Sequence, residues 1–541
     1  MNARLLRIPV ALFAGFLFLF ATIRSRNIFT VDGAHRCLQV WHRQNIFLDG
    51  TNHMLYPVNV FAWARLASAL GYKPSGPLEF FSMIELMNCV AGAACLAIFC
   101  LLMYLAIPSW RVATVVTLGY GFCKAFLEQA TNANQPLVGV LLSFLGLLFA
   151  SMTFRSKSKW PIVASGFLFS FAMANYESTI FLAPAAMVLI WRSRRQDLQR
   201  TLVTLPEGLA IGTFAVSGLV SCGLIFGLAY RYSGTSDPAA MAKRFLVIEG
   251  ERAYAGQLVV HLLNLPIGMI RNIFPVLETY TGIRNLMAEP TLRLASFLLL
   301  FLSFCTLCFF CFAQLWKLRK SLSPSVRTCI LAASVGFVFT TIPLLMYDPH
   351  YDKLWLQPLA CLAFLLFVTL HVVGQEARSH FPTIKVIALI LLVGVLSNSV
   401  WAIRGHFDPT PGMEQAREMA ERFGPEDFVV GGWDNLSVLH SDLWAYPGRY
   451  MDLFMEAGSY GPGATTHLRA AALQTKENGG RFYFIGVLDV SKKFWDSYLG
   501  SRCDLPFTDL DAYRAHSRTV ARYRLGSSEI LLFEFDLSHL D

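Results

Sequence analysis

Long apolar runs recur along the first 400 or so positions, separated by short polar segments. A helix that crosses ~30 Å of hydrocarbon needs about 20 apolar residues. The pattern predicts eleven membrane spans, at residues 7–23, 80–107, 112–130, 136–154, 160–175, 178–192, 206–230, 292–316, 328–346, 354–374 and 385–403. The pair 160–175 and 178–192 is also compatible with a re-entrant hairpin, which leaves the odd number of crossings unchanged.

Two long loops, 24–78 and 231–290, interrupt the spans. The first contains an apolar stretch over 58–70 that is too short to cross a bilayer and carries Arg65 in its middle. The second contains two similar stretches, over 239–246 and 258–273. Short apolar segments of this kind are typical of amphipathic helices at the membrane surface.

After residue 404 the pattern changes to alternating helix and strand signals. The best strands are rich in aromatic and branched residues, and the helices are amphipathic. The predicted strands are 427–431, 482–488 and 529–535, and the predicted helices are 413–423 and 464–475. Residues 405–541 are therefore predicted to form a small α/β domain.

Composition indicates a membrane protein, and the distribution of charge predicts on which side of the membrane each terminus lies. Hydrophobic residues make up 55 %, charged residues 15 %, and the mean hydropathy is +0.48, whereas soluble domains carry about 25 % charged residues. The net charge of +9 comes from short loops between spans, so it does not indicate nucleic acid. By the positive-inside rule these loops are cytoplasmic. The prediction is an all-α polytopic membrane domain (1–404), N-terminus cytoplasmic, followed by an extracytoplasmic α/β domain (405–541).

The twelve cysteines do not indicate a disulfide framework, because ten of them lie inside apolar spans. Only Cys37 and Cys503 fall in segments predicted to be aqueous. Cys305, Cys308 and Cys311 form one helical stripe, which favours packing over metal binding because no polar access is evident.

Ionisable and amide side chains concentrate at the predicted outer ends of the spans. Such groups are costly in hydrocarbon, so a one-sided distribution indicates a site. Each residue alone could simply solvate a helix end. The set comprises Asp32, His35, Arg36, His53, Glu85, Asn88, Lys124, Glu128, Asn132, Asn134, Gln135, Asn175, Glu177, Asp348, His350, Asp352 and Lys353.

Asp32 and Glu128 are the carboxylates of greatest interest, and each has a structural alternative. Asp32 follows the first span closely, at headgroup level, but could serve only as the N-cap of a helix over 33–42. Glu128 shares a helix face with Lys124 and Asn132. Its alternative role is a self-neutralising pair with Lys124.

Three short motifs carry a resemblance to a known family. They are residues 32–36 (DGAHR), 52–57 (NHMLYP) and 347–355 (YDPHYDKLW). With the long first outer loop, they resemble the GT-C superfamily of membrane glycosyltransferases, in particular bacterial relatives of protein O-mannosyltransferases and lipid A aminoarabinose transferases. The resemblance covers the layout of about 400 residues and implies a bacterial inner-membrane location.

The resemblance implies inverting transfer of a sugar from a polyprenyl-phosphate carrier to an acceptor at the outer face. Asp32 would be the general base, and Glu128 a second acid that orients the acceptor or a metal. Arg36, His53 and Lys353 would contact the lipid phosphate, and Arg271 and Arg284 are weaker candidates for that contact. His350 and Asn132 complete the expected substrate-binding set.

The cofactor, the acceptor and the function class remain open at this point. No tight ligand cluster requires a metal, although Asp32 and Glu128 could hold one divalent ion, Mg²⁺ or Mn²⁺, through oxygen ligands. The expected partners are the lipid-linked sugar donor, an unidentified acceptor and the bilayer, with no nucleic acid. The alternatives to an enzyme are a lipid-linked sugar transporter or flippase, and a membrane-anchored binding protein whose working part is the C-terminal domain.

Overall fold

A computed structural model provides the structure of this protein. It describes residues 6–24, 37, 40–41, 54–156, 158–194, 205–233, 258–277, 286–318, 322–376, 391, 393–398, 421–431, 449–452, 464–492, 495, 505–525 and 528–540. The chain divides into two compact units. One comprises Met1–Arg24, Gly50–Asn59 and Glu85–Gly405, and the other Ser25–Asp49, Val60–Ile84 and His406–Asp541.

Helices account for nearly all of the structure described before residue 400. In chain order they are α1 (Arg7–Ile23), α2 (Tyr56–Ala69), α3 (Pro77–Ala106), α4 (Trp110–Gly121), α5 (Lys124–Thr131), α6 (Pro136–Met152), α7 (Trp160–Asn175), α8 (Ala183–Arg194), α9 (Leu205–Ser233), α10 (Leu258–Ile273), α11 (Thr291–Leu318), α12 (Pro324–Met346) and α13 (Leu356–Glu376). Short 3-10 helices lie at Glu177–Leu182, Leu286–Ala288 and Asp352–Trp355.

Four of the described helices are long and apolar enough to cross a membrane, namely α3, α9, α11 and α12. The bent pair α5 and α6 raises this number to five if it forms one span. The shorter apolar helices α1, α7 and α10 add to the hydrophobic length. The predicted total of eleven spans stays a prediction.

The predicted third span, 112–130, is wrong as a continuous helix. Helix α4 ends at Gly121 and α5 begins at Lys124, and the axes of α5 and α6 then differ by 114°. The break is stabilised from outside the segment, because the Asn398 side-chain amide donates to the carbonyl of Phe122 at 2.7 Å. A donor from a distant residue satisfies the carbonyl group that the interrupted helix leaves open.

Small residues allow the helices of the first unit to approach closely, as is usual between membrane helices. A Cβ atom at Gly166 of α7 would lie 2.1 Å from Ser217 Oγ and 2.5 Å from the carbonyl oxygen of Phe214, both on α9. The Ser170 hydroxyl donates to the carbonyl of Gly218 at 2.6 Å across the same interface. Similarly, a Cβ at Gly268 of α10 would lie 2.2 Å from the carbonyl oxygen of Pro349.

Residues 421–540 contain a mixed five-stranded sheet. Its strands are β1 (Phe428–Gly431), β2 (Arg449–Asp452), β3 (Phe482–Ile485), β4 (Ser517–Leu525) and β5 (Ser528–Phe535). The order is β2-β1-β3-β5-β4, with β2, β1 and β3 parallel and the β3-β5 and β5-β4 pairs antiparallel. Helices α14 (Ala464–Glu477) and α15 (Phe507–Ala515) accompany it.

Both faces of the central strands are buried. Phe482 and Phe484 of β3 belong to one apolar cluster, and Tyr483 and Ile485 belong to another. Central parallel strands that are covered on both faces have continuous apolar sequences. The sequence pattern therefore predicted β1 and β3. It did not find β2 or β4, whose residues RYMD and SRTVARYRL carry many polar side chains.

We expect Gly166→Ala to destabilise the protein, because even one methyl group would push α7 away from the backbone of α9. Overpacking of this kind costs about 1–3 kcal/mol. The matched control is Gly212→Ala, at a helix position where a Cβ would meet no described atom within 4 Å. Thermal unfolding in lipid nanodiscs should show a lower Tm for Gly166→Ala and an equal or higher one for Gly212→Ala. Equal Tm values for the two variants would contradict the proposed close contact.

Candidate functional site

Polar residues from five parts of the first unit meet where several helices end. Helix α5 and the turn 132–135 provide the first group, and the end of α7 provides the second. The cluster is completed by the loop between α12 and α13, the end of α10, and Asn88 of α3. We call this the polar cluster, and it comprises Asn88, Lys124, Glu128, Gln129, Asn132, Asn134, Gln135, Asn175, Tyr176, Arg271, Asp348, His350, Asp352 and Lys353.

Lys124 and Glu128 lie one turn apart on α5 and form an ion pair, with Nζ and Oε2 3.4 Å apart. The Lys124 side chain is 6 % exposed and that of Glu128 is 29 % exposed. The pairing that the sequence left open is therefore present. It is not the whole environment of Glu128, because Asp352 and Arg271 also lie within electrostatic range of this carboxylate.

Buried side-chain amides connect α5 to the later loop. Gln129 donates to Asp352 Oδ2 at 2.6 Å and accepts from Asn134 Nδ2 at 2.6 Å. Asn88 of α3 donates to the backbone carbonyls of Asn132 and Asn134 at 2.7 and 2.6 Å. Because Asn88, Gln129, Asn132 and Asn134 are buried, each of their hydrogen bonds replaces one to water and fixes the turn between α5 and α6.

Some acceptors at this turn have no hydrogen-bond donor among the described residues. They are the side-chain oxygens Oδ1 of Asn132 and Oε1 of Gln135, both buried. A buried polar atom without a partner costs about 1–3 kcal/mol. A bound hydroxyl group or a water molecule would remove that cost, so this turn is suited to a ligand rich in hydroxyl groups.

The loop between α12 and α13 is held from several sides. Trp355 Nε1 donates to the carbonyl of Pro349 at 2.8 Å, and Arg271 Nη1 donates to that of His350 at 3.2 Å. The Asp348 carboxylate accepts from His350 Nδ1 at 2.6 Å and from the His350 backbone N–H at 2.8 Å. Burial works to raise the pKa of Asp348, but these hydrogen bonds and the His350 and His261 charges hold it below its ordinary value.

Lys353 occupies the short 3-10 helix of this loop, with its Nζ 5.6 Å from the centre of the Tyr351 ring. Lys353, Glu177 and Asp352 all lie within electrostatic range of the Tyr176 hydroxyl, whose pKa is raised chiefly by burial. Asn175 accepts a hydrogen bond from Asn59, and the Leu55 backbone N–H donates to Ala174 at 2.9 Å. The end of α7 is thus tied to residues 55–59.

The predicted site residues fall into three groups. Glu128, Asn132, His350 and Lys353 belong to the polar cluster. Asp32, Arg36 and His53, and the weaker candidate Arg284, lie outside the described residues. The third group is Glu85 alone, which is buried and lies within electrostatic range of Arg24 rather than in the polar cluster.

Sequence reasoning gave Gln129 and Tyr176 no role, and it ranked Arg271 only as a weaker candidate. Gln129 is fully buried in a short helix and Tyr176 is 2 % exposed. A polar glutamine inside a predicted span, as Gln129 is, indicates a functional or structural role for its amide. Arg271, in the last turn of the predicted 258–273 helix, is another such signal.

The prediction of a bound divalent ion was compared with the side chains that the structure describes. No group of three or more His, Cys, Asp or Glu side chains with suitable placement occurs among them, and the Glu128 carboxylate already faces an ammonium group. A divalent ion on Asp32 and Glu128 therefore stays a prediction, and no chemical step below depends on it.

Comparison with known proteins identifies the architecture. Two crystal structures of ArnT from Cupriavidus metallidurans, a GT-C glycosyltransferase, share the fold over nearly all of their length. The apo form aligns with a TM-score of 0.53 at 13 % identity, covering 98 % of both chains. The form bound to undecaprenyl phosphate aligns with a TM-score of 0.52 at 13 % identity, covering 97 % of both.

The chain has a GT-C fold. No protein-family model and no curated protein sequence matches it, so the likeness is one of structure. A GT-C fold with four or five described helices able to span a bilayer is that of an integral membrane protein. The fold shared with these two structures is the one that the resemblance in the sequence implied.

The Asp348–His350 contact predicts that the thermal stability of the protein falls at low pH. Because the pKa of Asp348 is lowered in the folded state, its contribution is complete above the ordinary value of 3.8 and is lost as the pH falls through the folded-state pKa. We expect Asp348→Asn to lower the Tm at pH 5 to 7, with the difference from the natural protein shrinking below about pH 4. The control Asp511→Asn, at an exposed pair with Arg514, should change the curve far less. A constant difference down to pH 2 would contradict the assignment.

Proposed function

We propose that this protein transfers a sugar from a polyprenyl-phosphate carrier to an acceptor hydroxyl at the outer membrane face. The observation that carries the proposal is the polar cluster, in which cations and carboxylates meet at one end of a GT-C bundle. Counted as whole residues, Lys124 and Arg271 are 5 % and 2 % exposed, and buried cations of this kind suit an anionic ligand at a membrane interface. ArnT, with the same fold, has a structure bound to undecaprenyl phosphate.

The proposed orientation follows from the charge of the loops. The N-terminus is cytoplasmic, the eleven predicted spans lie in the bacterial inner membrane, and residues 405–541 form the extracytoplasmic domain. The polar cluster then lies at the outer interface, because the turn 132–135 and the loop 347–355 are on the predicted outer side.

The reaction proposed is an inverting displacement. The acceptor oxygen forms a bond to the anomeric carbon while the bond from that carbon to the carrier phosphate breaks, with its electron pair leaving on the phosphate. Asp32 takes the proton of the acceptor hydroxyl as general base. Lys353, Arg36 and His53 stabilise the departing phosphate, which needs positive charge more than a proton.

The described residues have supporting roles in this proposal. Glu128 orients the acceptor, since its carboxylate is held by Lys124 on α5. Asn132 offers its open amide oxygen to a hydroxyl of the sugar or the acceptor. His350 positions the loop that carries Lys353, through its contacts with Asp348 and Arg271.

We expect Asp32→Asn to reduce sugar transfer by about 10²–10⁴-fold, the usual contribution of a general base. Glu128→Gln should retain measurable activity at about a tenth of the natural rate, since positioning rather than proton transfer is lost. Transfer is measured in proteoliposomes with a radiolabelled polyprenyl-phosphate sugar and an envelope extract as acceptor. The control Glu421→Gln, an exposed acid of the C-terminal region, should be fully active.

The transfer assay and two further measurements separate the rival functions. Full activity of folded Asp32→Asn would remove the proposed base. Movement of labelled lipid across the bilayer without acceptor and without cleavage would favour a flippase. Ligand binding by a 405–541 fragment as tight as by the whole chain would favour a binding protein.

Lys353 is expected to act on the carrier rather than on the acceptor. Lys353→Met removes the charge and should raise KM for the lipid-linked donor about tenfold while the KM for acceptor is unchanged. Lys353→Arg keeps the charge and should recover most of the affinity. An equal loss in both variants would indicate a packing role for this side chain.

A further inference from the structure

A large apolar cavity lies in the first unit, away from the polar cluster. Its volume is about 720 Å³, within the ~300–1,000 Å³ range of ligand pockets. Buried side chains of five helices form its inner wall, including Phe99 of α3, Phe144 of α6, Ala185 of α8, Ala332 of α12 and Cys361 of α13.

The mouth of the cavity is at the opposite end of these helices from the polar cluster. Its exposed lining residues are Met152, Phe154, Arg155 and Ser325, which lie where α6 ends and α12 begins. The polar turn 132–135 precedes α6, and the loop with Asp348 follows α12. Since α6 has 17 residues, the two openings are separated by about 25 Å along its axis.

Aromatic side chains form the inner end of the cavity. Phe99 and Phe144 both pack on Tyr120, with ring centres 5.0 and 6.3 Å away. The Tyr120 hydroxyl donates to the carbonyl of Leu356 at 2.8 Å. Gln357 Nε2 of α13 donates to Ser143 Oγ of α6 at 3.0 Å. No described lining residue of the cavity belongs to the polar cluster.

The mouth is positively charged. Arg155 lines it and is exposed, and Arg194 Nη2 donates to the carbonyl of Ser158 at 3.0 Å, so a second guanidinium lies against the same loop. Lys159 is exposed one residue further on. None of the lining residues that the structure describes is acidic. An anionic group at this position would be favoured by the local field.

We propose that the cavity holds one acyl chain of an anionic phospholipid, with the lipid phosphate at Arg155. An apolar volume of this size that opens beside lipid is filled at little cost by a hydrocarbon chain. The apolar depth and the cationic mouth together match an amphiphile with one chain inward and its phosphate at headgroup level. This site is independent of the proposed sugar transfer.

The test measures lipid retention by native mass spectrometry on the full chain, with palmitoyl-oleoyl phosphatidylglycerol and the matching phosphatidylcholine as probes. We expect the natural protein to retain one phosphatidylglycerol in preference to phosphatidylcholine. Arg155→Gln should reduce this preference about fivefold, the effect of one basic residue near a charged lipid. Lys159→Gln, on the same loop but outside the lining, is the matched control and should retain more of the preference.

A second arm fills the cavity. Ala332→Phe places a ring in the pocket and should abolish retention of both lipids, and Ala333→Phe is the alternative where the first variant does not fold. Thermal unfolding identifies the folded variants. Unchanged retention in a folded, filled variant overturns the proposal, and so does an unchanged lipid preference in Arg155→Gln. Preferential retention of a polyprenyl phosphate over phosphatidylglycerol also overturns it, because the cavity would then belong to the sugar carrier.

Discussion

The hydrogen bond from Gln129 to Asp352 connects two segments that are 223 residues apart in sequence. It joins α5, which carries Lys124 and Glu128, to the loop that carries His350 and Lys353. In an apolar bundle these groups have little water available, so each must find a partner in the protein. The amide of Gln129 suits this position because it donates to one segment and accepts from another. The arrangement of the polar cluster depends on this contact.

The strongest sequence signals gave correct elements. Helices α1 and α10 begin and end where the apolar runs do, at Arg7–Ile23 and Leu258–Ile273, because hydrocarbon-length and amphipathic patterns are local properties of the chain. Strands β1 and β3 were found for the same reason. The break after Gly121 was not, since it is stabilised by Asn398, far away in sequence. The polar strand β4 was missed because its partner β5, and not its own composition, makes it a strand.

The site was partly accessible to sequence reasoning. The preference of ionisable residues for one end of the spans predicted Glu128, Asn132, His350 and Lys353 as site residues, and the structure places these four in the polar cluster. Pairings could not be predicted, because hydrogen-bond partners such as Asn88 and Asn134 depend on how α3 crosses the turn. The resemblance in the motif 347–355 was informative because its aspartates, histidine and lysine face several elements at once. The assignment of Asp32 as general base stays a prediction, since this residue lies outside the described ones.

The 114° bend between α5 and α6 bears on the order in which the protein assembles. Helix α5 has eight residues, about 12 Å of rise, so it cannot cross the membrane alone. Its contacts include α1, α10 and the 3-10 helix at Asp352–Trp355. At a synthesis rate of about 5–20 residues per second, Asp352 emerges roughly 11–45 seconds after Gln129. During that interval the nascent chain carries a charged half-helix that has α1 as a neighbour but lacks α10 and the 3-10 helix at Asp352–Trp355, so its polar side chains need water or a chaperone to accommodate them.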